Sequence, residues 1–202
     1  LVTFEGIDGS GKSSLAKEVY GRLKARGVDA ILTSEPTKGW VGDAVRKGID
    51  EGLDPLTQAL LFLADRAAHA PQIRTWLEEG KVVLCDRYAD STFAYQGVAM
   101  EGILPDPPDW LRRVGAPFTL SPDLTFLLVL EPREALARIA GRRRTLYEKE
   151  AYLARVQQRY RALARESRFV ELDSSRSLGD LADEALKIML KRFPPQSRGP
   201  PS

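Results

Sequence analysis

Gly6-Ile7-Asp8-Gly9-Ser10-Gly11-Lys12-Ser13 carries its glycines, lysine and hydroxyl at the spacing G-x-x-x-x-G-K-[ST]. That spacing serves polyphosphate binding. Glycines let the backbone curl until successive N–H groups converge on phosphate oxygens. A helix starting here turns its positive N-terminus toward the same anion. Lys12 reaches the β- and γ-phosphates, and the Ser13 hydroxyl suits Mg²⁺. Gly6, Ile7, Asp8, Gly9, Ser10, Gly11 and Ser14 complete the candidate cradle. A flexible Gly/Ser loop that binds nothing is the competing reading. The setting argues against it, because the loop leaves an apolar run and enters a helical pattern. The motif implies a nucleoside triphosphate and leaves the acceptor open.

A second candidate pair, Asp86-Arg87, closes the apolar run Lys81–Asp86. Ligand crevices of parallel sheets lie at the carboxyl ends of strands. A carboxylate there can hold Mg²⁺ through water, and the adjacent guanidinium can clamp a phosphate. An Asp-Arg pair simply solvated at a strand end is the alternative. The chain has no Asn, which excludes a guanine-reading Asn-Lys-x-Asp motif. A motor would normally need a larger chain or extra domains. A small kinase fits better. If its acceptor is itself a phosphate, that group is largely ionised near neutral pH and needs no general base. It needs cations that offset the repulsion between two anions, and arginine's planar fork matches phosphate oxygens. His69, the single histidine, is therefore read as structural or partly exposed, and Cys85 as inert core packing.

Strands are expected at Leu1–Glu5, Asp29–Thr33, Lys81–Asp86, Leu124–Leu130 and Arg168–Asp173. Helical patterns fill the intervals. Ser13–Arg26 is stopped by Gly27, and Pro55–Glu79 by Gly80. Tyr152, Val156, Tyr160 and Leu163 form one apolar stripe, and Leu181, Ala185 and Ile188 another. Continuous apolar strands alternating with helices predict an α/β fold, a parallel five-stranded sheet covered by helices on both faces. One domain is expected over residues 1–193, with a disordered Pro/Ser/Gly-rich tail at 194–202. A formal charge of +2 argues against a whole-surface nucleic-acid footprint. The lone cysteine excludes an internal disulfide. No apolar run approaches the roughly 20 residues of a membrane span. No signal peptide is visible, so the expected location is the cytoplasm.

Two signatures together resemble the thymidylate kinase family of P-loop nucleoside monophosphate kinases. Phe4-Glu5 through Ser13-Ser14 resembles that family's P-loop, and Asp86-Arg87-Tyr88, Ser91 and Ala94-Tyr95-Gln96-Gly97 resemble its DRYxxSxxAYQG signature. Leu61-Phe62-Leu63-Ala64-Asp65-Arg66 resembles the helix with its base-reading residues. The resemblance implies transfer of the ATP γ-phosphoryl group to dTMP, with Mg²⁺, in a homodimer. It implies that Phe62 stacks on thymine and Arg66 meets the base carbonyl. Thr92 would contact the base N3, and Tyr95 would crowd the sugar 2′ position. Arg87 would hold the acceptor phosphate, with Asp8 near the sugar and the reacting phosphates. Ser91 and Gln96 would be pocket neighbours. Without it, Phe62 reads equally well as core, and Arg66 as the partner of Asp65 or Asp90.

Gly141-Arg142-Arg143-Arg144 reads either as a solvated charged face or as the start of a mobile basic lid over about 141–149. Because the P-loop lacks a cation among Ile7, Asp8, Gly9 and Ser10, the resemblance implies that the lid supplies the arginine. Arg138 matches a position that packs against adenine. Two departures stand out. Ser34 precedes Glu35-Pro36 where the family commonly has Arg, and Thr145 replaces the usual lid Asp. Another nucleotide kinase, or a regulatory module that binds ATP without catalysis, remains open at this level.

Overall fold

The computed structural model describes residues 1–140 and 149–193. Strands β1 (Val2–Glu5), β2 (Ala30–Ser34), β3 (Val82–Asp86), β4 (Leu124–Val129) and β5 (Phe169–Asp173) form one sheet. All its pairings are parallel, in the order β2-β3-β1-β4-β5. The helices are α1 (Lys12–Ala25), α2 (Trp40–Asp50), α3 (Pro55–Glu78), α4 (Ala89–Ala99), α5 (Pro107–Gly115), α6 (Pro132–Arg138), α7 (Glu150–Leu163) and α8 (Leu178–Arg192). The expected α/β fold with helices on both faces is what forms. The basic segment with Arg142, Arg143 and Arg144 lies outside the described residues, as does the tail from Pro194.

Strand alternation explains how the layers close. Val2 and Phe4 of β1 point toward α1 and α8, where Leu15, Val19, Leu23, Leu181 and Leu186 bury them. Leu1, Thr3 and Glu5 point to the opposite face, under α3, α4 and α7. There Val83 and Cys85 meet Ile73 of α3, while Leu127 meets Tyr95, Leu153, Val156 and Tyr160. Burial pushes the Cys85 thiol well up, in keeping with inert packing.

The sequence reading passes over α2, α4 and α5. Nearly every residue of α4 is buried, so it carries no amphipathic period. Helix α5 starts at Pro107-Pro108, where Pro suits a first helical turn, and the Asp106 side chain accepts from Asp109 N–H at 3.1 Å.

Glu5 is a carboxylate with no exposed surface at the end of an otherwise apolar strand. Its pKa is pushed up to about 7, first by burial and then by the Asp90 carboxylate. A folded value above the unfolded one means that the native state binds the extra proton. Its stabilising contribution is complete below about 4.5 and is lost as pH rises through about 7. Glu5→Gln abolishes this titration. The stability of wild type relative to E5Q is therefore expected to fall by on the order of 3 kcal/mol between about pH 4 and pH 8, read from urea midpoints. A pH-independent difference would show that the carboxyl is not raised.

Candidate active site

The chain leaves β1 toward β2 on one side, while β4 flanks β1 on the other. The carboxyl end of β1 is thus the switch point of the sheet, where a crevice opens. The glycine-rich loop Gly6–Gly11 sits there, with positive φ at Gly6 (138°), Gly9 (84°) and Gly11 (89°). Gly9 is also a close approach, since a Cβ there would lie 2.1 Å from the Ala135 carbonyl oxygen on α6. The Ile7 side chain enters the core, so Ile7 serves the loop through its backbone. Its carbonyl accepts from Lys12 Nζ at 2.9 Å. Burial, and then repulsion from Arg87, pull Lys12 down to about 8. A bound polyphosphate would favour the charged form again.

A cavity of about 520 Å³ runs from Gly9, Lys12, Ser13 and Ser14 to Arg138, Ser174, Arg176 and Leu178. Arg138 Nη2 donates to the Ser174 carbonyl at 2.9 Å, and the Ser174 hydroxyl donates to the Ser10 carbonyl. Ser174, Arg176 and Leu178 are absent from the sequence-based candidates. Their signal is position, since they follow the carboxyl end of β5 as Asp86-Arg87 follows β3.

Arg87 adopts φ of 66°, a strained value for a non-glycine residue. Its N–H donates to the Phe4 carbonyl at 3.0 Å, which ties the turn to β1. Nη2 donates to Asp8 Oδ1, Nη1 donates to Ser91 Oγ at 3.1 Å, and the guanidinium lies 5.1 Å from the centre of the Tyr95 ring. The Tyr95 hydroxyl accepts from Asp8 N–H at 2.8 Å. Burial alone would raise the Asp8 pKa, but Arg87 and then Lys12 outweigh it and hold the carboxyl below its usual range. Asp8, Arg87, Ser91 and Tyr95 therefore form one cluster beside Lys12.

Arg66 is fully buried. Nη2 donates to Glu35 Oε2 at 2.7 Å and to Thr92 Oγ1 at 2.9 Å. Its partner is thus Glu35 rather than Asp65 or Asp90. Asp65 instead receives Thr37 N–H and hydroxyl, and Asp90 is paired with Arg168. Nε and Nη1 of Arg66 are buried without a partner, an arrangement that leaves two donors for a ligand. Glu35 also meets His69 Nδ1 at 3.1 Å, and His69 Nε2 meets Thr33 Oγ1 at 2.9 Å. His69 is structural, as expected, and buried rather than partly exposed. Phe62 is half-buried one helical turn before Arg66, and Gln96 is buried on α4.

Asp86 Oδ1 is buried without a hydrogen-bond partner among the described residues. Asp86 and Ser13 line a second cavity, of about 500 Å³, together with Ser34 and Lys38. This oxygen donor set fits Mg²⁺, which keeps several waters and leans on substrate phosphates. No cluster of three or more His, Cys, Asp or Glu able to hold a metal occurs among the described residues.

A family model described as thymidylate kinase matches residues 4–185. A probable thymidylate kinase of Methanoculleus marisnigri is 48% identical over 178 residues, covering 86% of each chain. One of Methanospirillum hungatei is 45% identical over 87% of this chain and 86% of its own. A third, of Methanococcoides burtonii, is 39% identical over 94% of this chain and 95% of its own.

Gly9→Ala is expected to push the loop off α6, because the new Cβ would meet a backbone oxygen at 2.1 Å. Affinity for a nucleoside triphosphate should drop at least about tenfold by calorimetric titration. Wild-type affinity would remove the Gly9 contact from the donor site.

Proposed function

The chain belongs to the thymidylate kinase family, and from that premise we propose how its residues move the γ-phosphoryl group of ATP onto dTMP to give dTDP and ADP. The observation that carries the reading is the cluster of Lys12, Asp8 and Arg87 where β1 and β3 end, which lines the donor cavity. ATP lies along the donor cavity, its phosphates on the glycine-rich loop and Lys12 and its adenine toward Arg138. Arg87 holds the acceptor phosphate, exchanging its contact with Asp8 for phosphate oxygens of equal charge sign.

An acceptor phosphate oxygen attacks the γ-phosphorus in line, and the bond to the β,γ-bridging oxygen breaks, leaving ADP. The acceptor is already anionic, so the chain supplies orientation and positive charge rather than a base. Ser13 and Asp86 hold Mg²⁺, which when bound offsets charge on the transferring group. Phe62, Arg66 and Thr92 read the base, the unpartnered Nε and Nη1 of Arg66 supplying donors. Tyr95 flanks the sugar, and Ser91 and Gln96 complete that wall. Arg142, Arg143 and Arg144 carry the further positive charge that the loop lacks. The kinase domain spans residues 1–193, and the enzyme acts in the cytoplasm in the supply of dTTP. Among the described residues no helix is long and apolar enough to cross a membrane. A homodimer belongs to the same reading.

ADP release tests the acceptor. Against AMP, CMP, UMP, dUMP and thymidine, dTMP should give the highest kcat/KM, and Arg87→Ala should cut that value at least about 100-fold while the protein stays folded. Near-normal turnover of dTMP by R87A would count against the clamp. Arg66→Ala should raise KM for dTMP roughly tenfold or more with KM for ATP unchanged. An unaltered KM for dTMP would take Arg66 out of the base pocket.

A further inference from the structure

Three donors converge on the buried Glu5 carboxylate. Tyr88 N–H reaches Oε1 at 2.8 Å, while the Ser91 and Tyr160 hydroxyls reach Oε2 at 2.6 and 2.9 Å. The two hydroxyl oxygens also lie 2.9 Å apart; each carries one proton, and Glu5, once ionised, takes both. The Ser91 oxygen is then fixed as an acceptor, and it receives Arg87 Nη1 at 3.1 Å. The Tyr88 amide is the next one after Arg87, so Glu5 also fixes the turn that places Arg87 at φ of 66°. From the far side, Tyr160 belongs to α7, a helix fastened to the acceptor wall at two further points. The Tyr152 hydroxyl donates to the Tyr95 carbonyl at 2.6 Å, and Arg159 pairs with Glu101 at 2.8 Å, just past the end of α4.

We propose that Glu5 and Tyr160 are positioning residues for Arg87, through which helix α7 sets where the guanidinium meets the acceptor phosphate. Neither residue touches substrate. This rests on the reading of Arg87 as the acceptor-phosphate clamp. Without the Glu5 network the strained arginine turn would be held only by the Phe4 carbonyl and by the guanidinium contacts with Asp8 and Tyr95. The Glu5 network over-determines it, from the backbone through Tyr88 and from the side chain through Ser91. The connection is short and continuous: the α7 phenol lies 2.9 Å from the serine oxygen that receives Arg87, and both hydroxyls also reach Glu5 Oε2.

Tyr160→Phe removes one hydroxyl and keeps the packed ring, so it is the variant to measure. Steady-state kinetics of wild type, Y160F, R87A and the double variant form a cycle. Y160F is expected to lower kcat/KM for dTMP on the order of tenfold, with KM for ATP changed less than about twofold. In the R87A background it should add less than about a twofold effect, because the group it positions is gone. A silent Y160F, or the same loss in both backgrounds, overturns the positioning role while leaving the clamp intact. Wild-type dTMP kinetics in R87A instead overturn the clamp and the positioning role with it. Should Y160F not fold, E5Q carries the same cycle, with the same split between dTMP and ATP required.

Discussion

Positive charge has to be kept in a buried crevice before any nucleotide arrives, and the rest of the site is arranged around that constraint. Lys12 and Arg87 stand together at the end of β1, and their mutual repulsion is part of what lowers the Lys12 pKa. Asp8, Asp86 and Glu5 are the counter-charges that hold them there. These carboxylates are spread over three places: the loop, the end of β3 and the floor beneath. An incoming phosphate can therefore replace Asp8 at Arg87 without emptying the crevice of negative partners. The ion pairs nearest the crevice mouth are exchangeable, and those below are fixed.

The acceptor side follows the same logic with different parts. Arg66 is a buried cation paired to Glu35, and Glu35 is shared with His69. One nitrogen of the guanidinium, Nη2, is committed to Glu35 and Thr92, while Nε and Nη1 have no hydrogen-bond partner. A planar group anchored in this way keeps its remaining donors in fixed directions. Glu35 is positioned in turn by the end of β2. Thr37, two residues on, is locked to Asp65 of α3. The loop after β2 and helix α3 are thus one unit.

The sheet was legible in the sequence because its strands are short and mostly apolar, several of them closed by a polar residue, as in VVLCD. Its five expected strands agree with those formed to within a residue or so at each end. The glycine loop and Asp86-Arg87 were legible because each occupies a strand end, a place that chemistry and topology mark together. What was not legible is long-range pairing. Glu35 lies 31 residues from Arg66, and Tyr160 lies 155 residues from Glu5. No local pattern encodes such partners. Tyr160 read as one more member of an apolar stripe, since its ring is core and only its hydroxyl is polar. Ser174 and Arg176 were hidden because β5 was the weakest strand pattern, so the loop after it drew no attention.

Features that oppose stability are concentrated along this one edge. Arg87 is strained in the backbone, Glu5 is a carboxylate held away from water, and Arg66 and Asp86 bury polar atoms without partners. Each departs from the rule that buried groups are apolar or fully paired and that backbone angles are unstrained. A core selected for stability alone would have an apolar residue at position 5 and a glycine at position 87. A glycine would relieve the turn but remove the guanidinium, and an apolar residue would fill the floor but leave Tyr88 N–H, Ser91 and Tyr160 without their acceptor. The strain and the buried charge are thus mutually dependent. The turn needs the carboxylate to hold it, and the carboxylate is tolerated because three donors and a nearby arginine satisfy it.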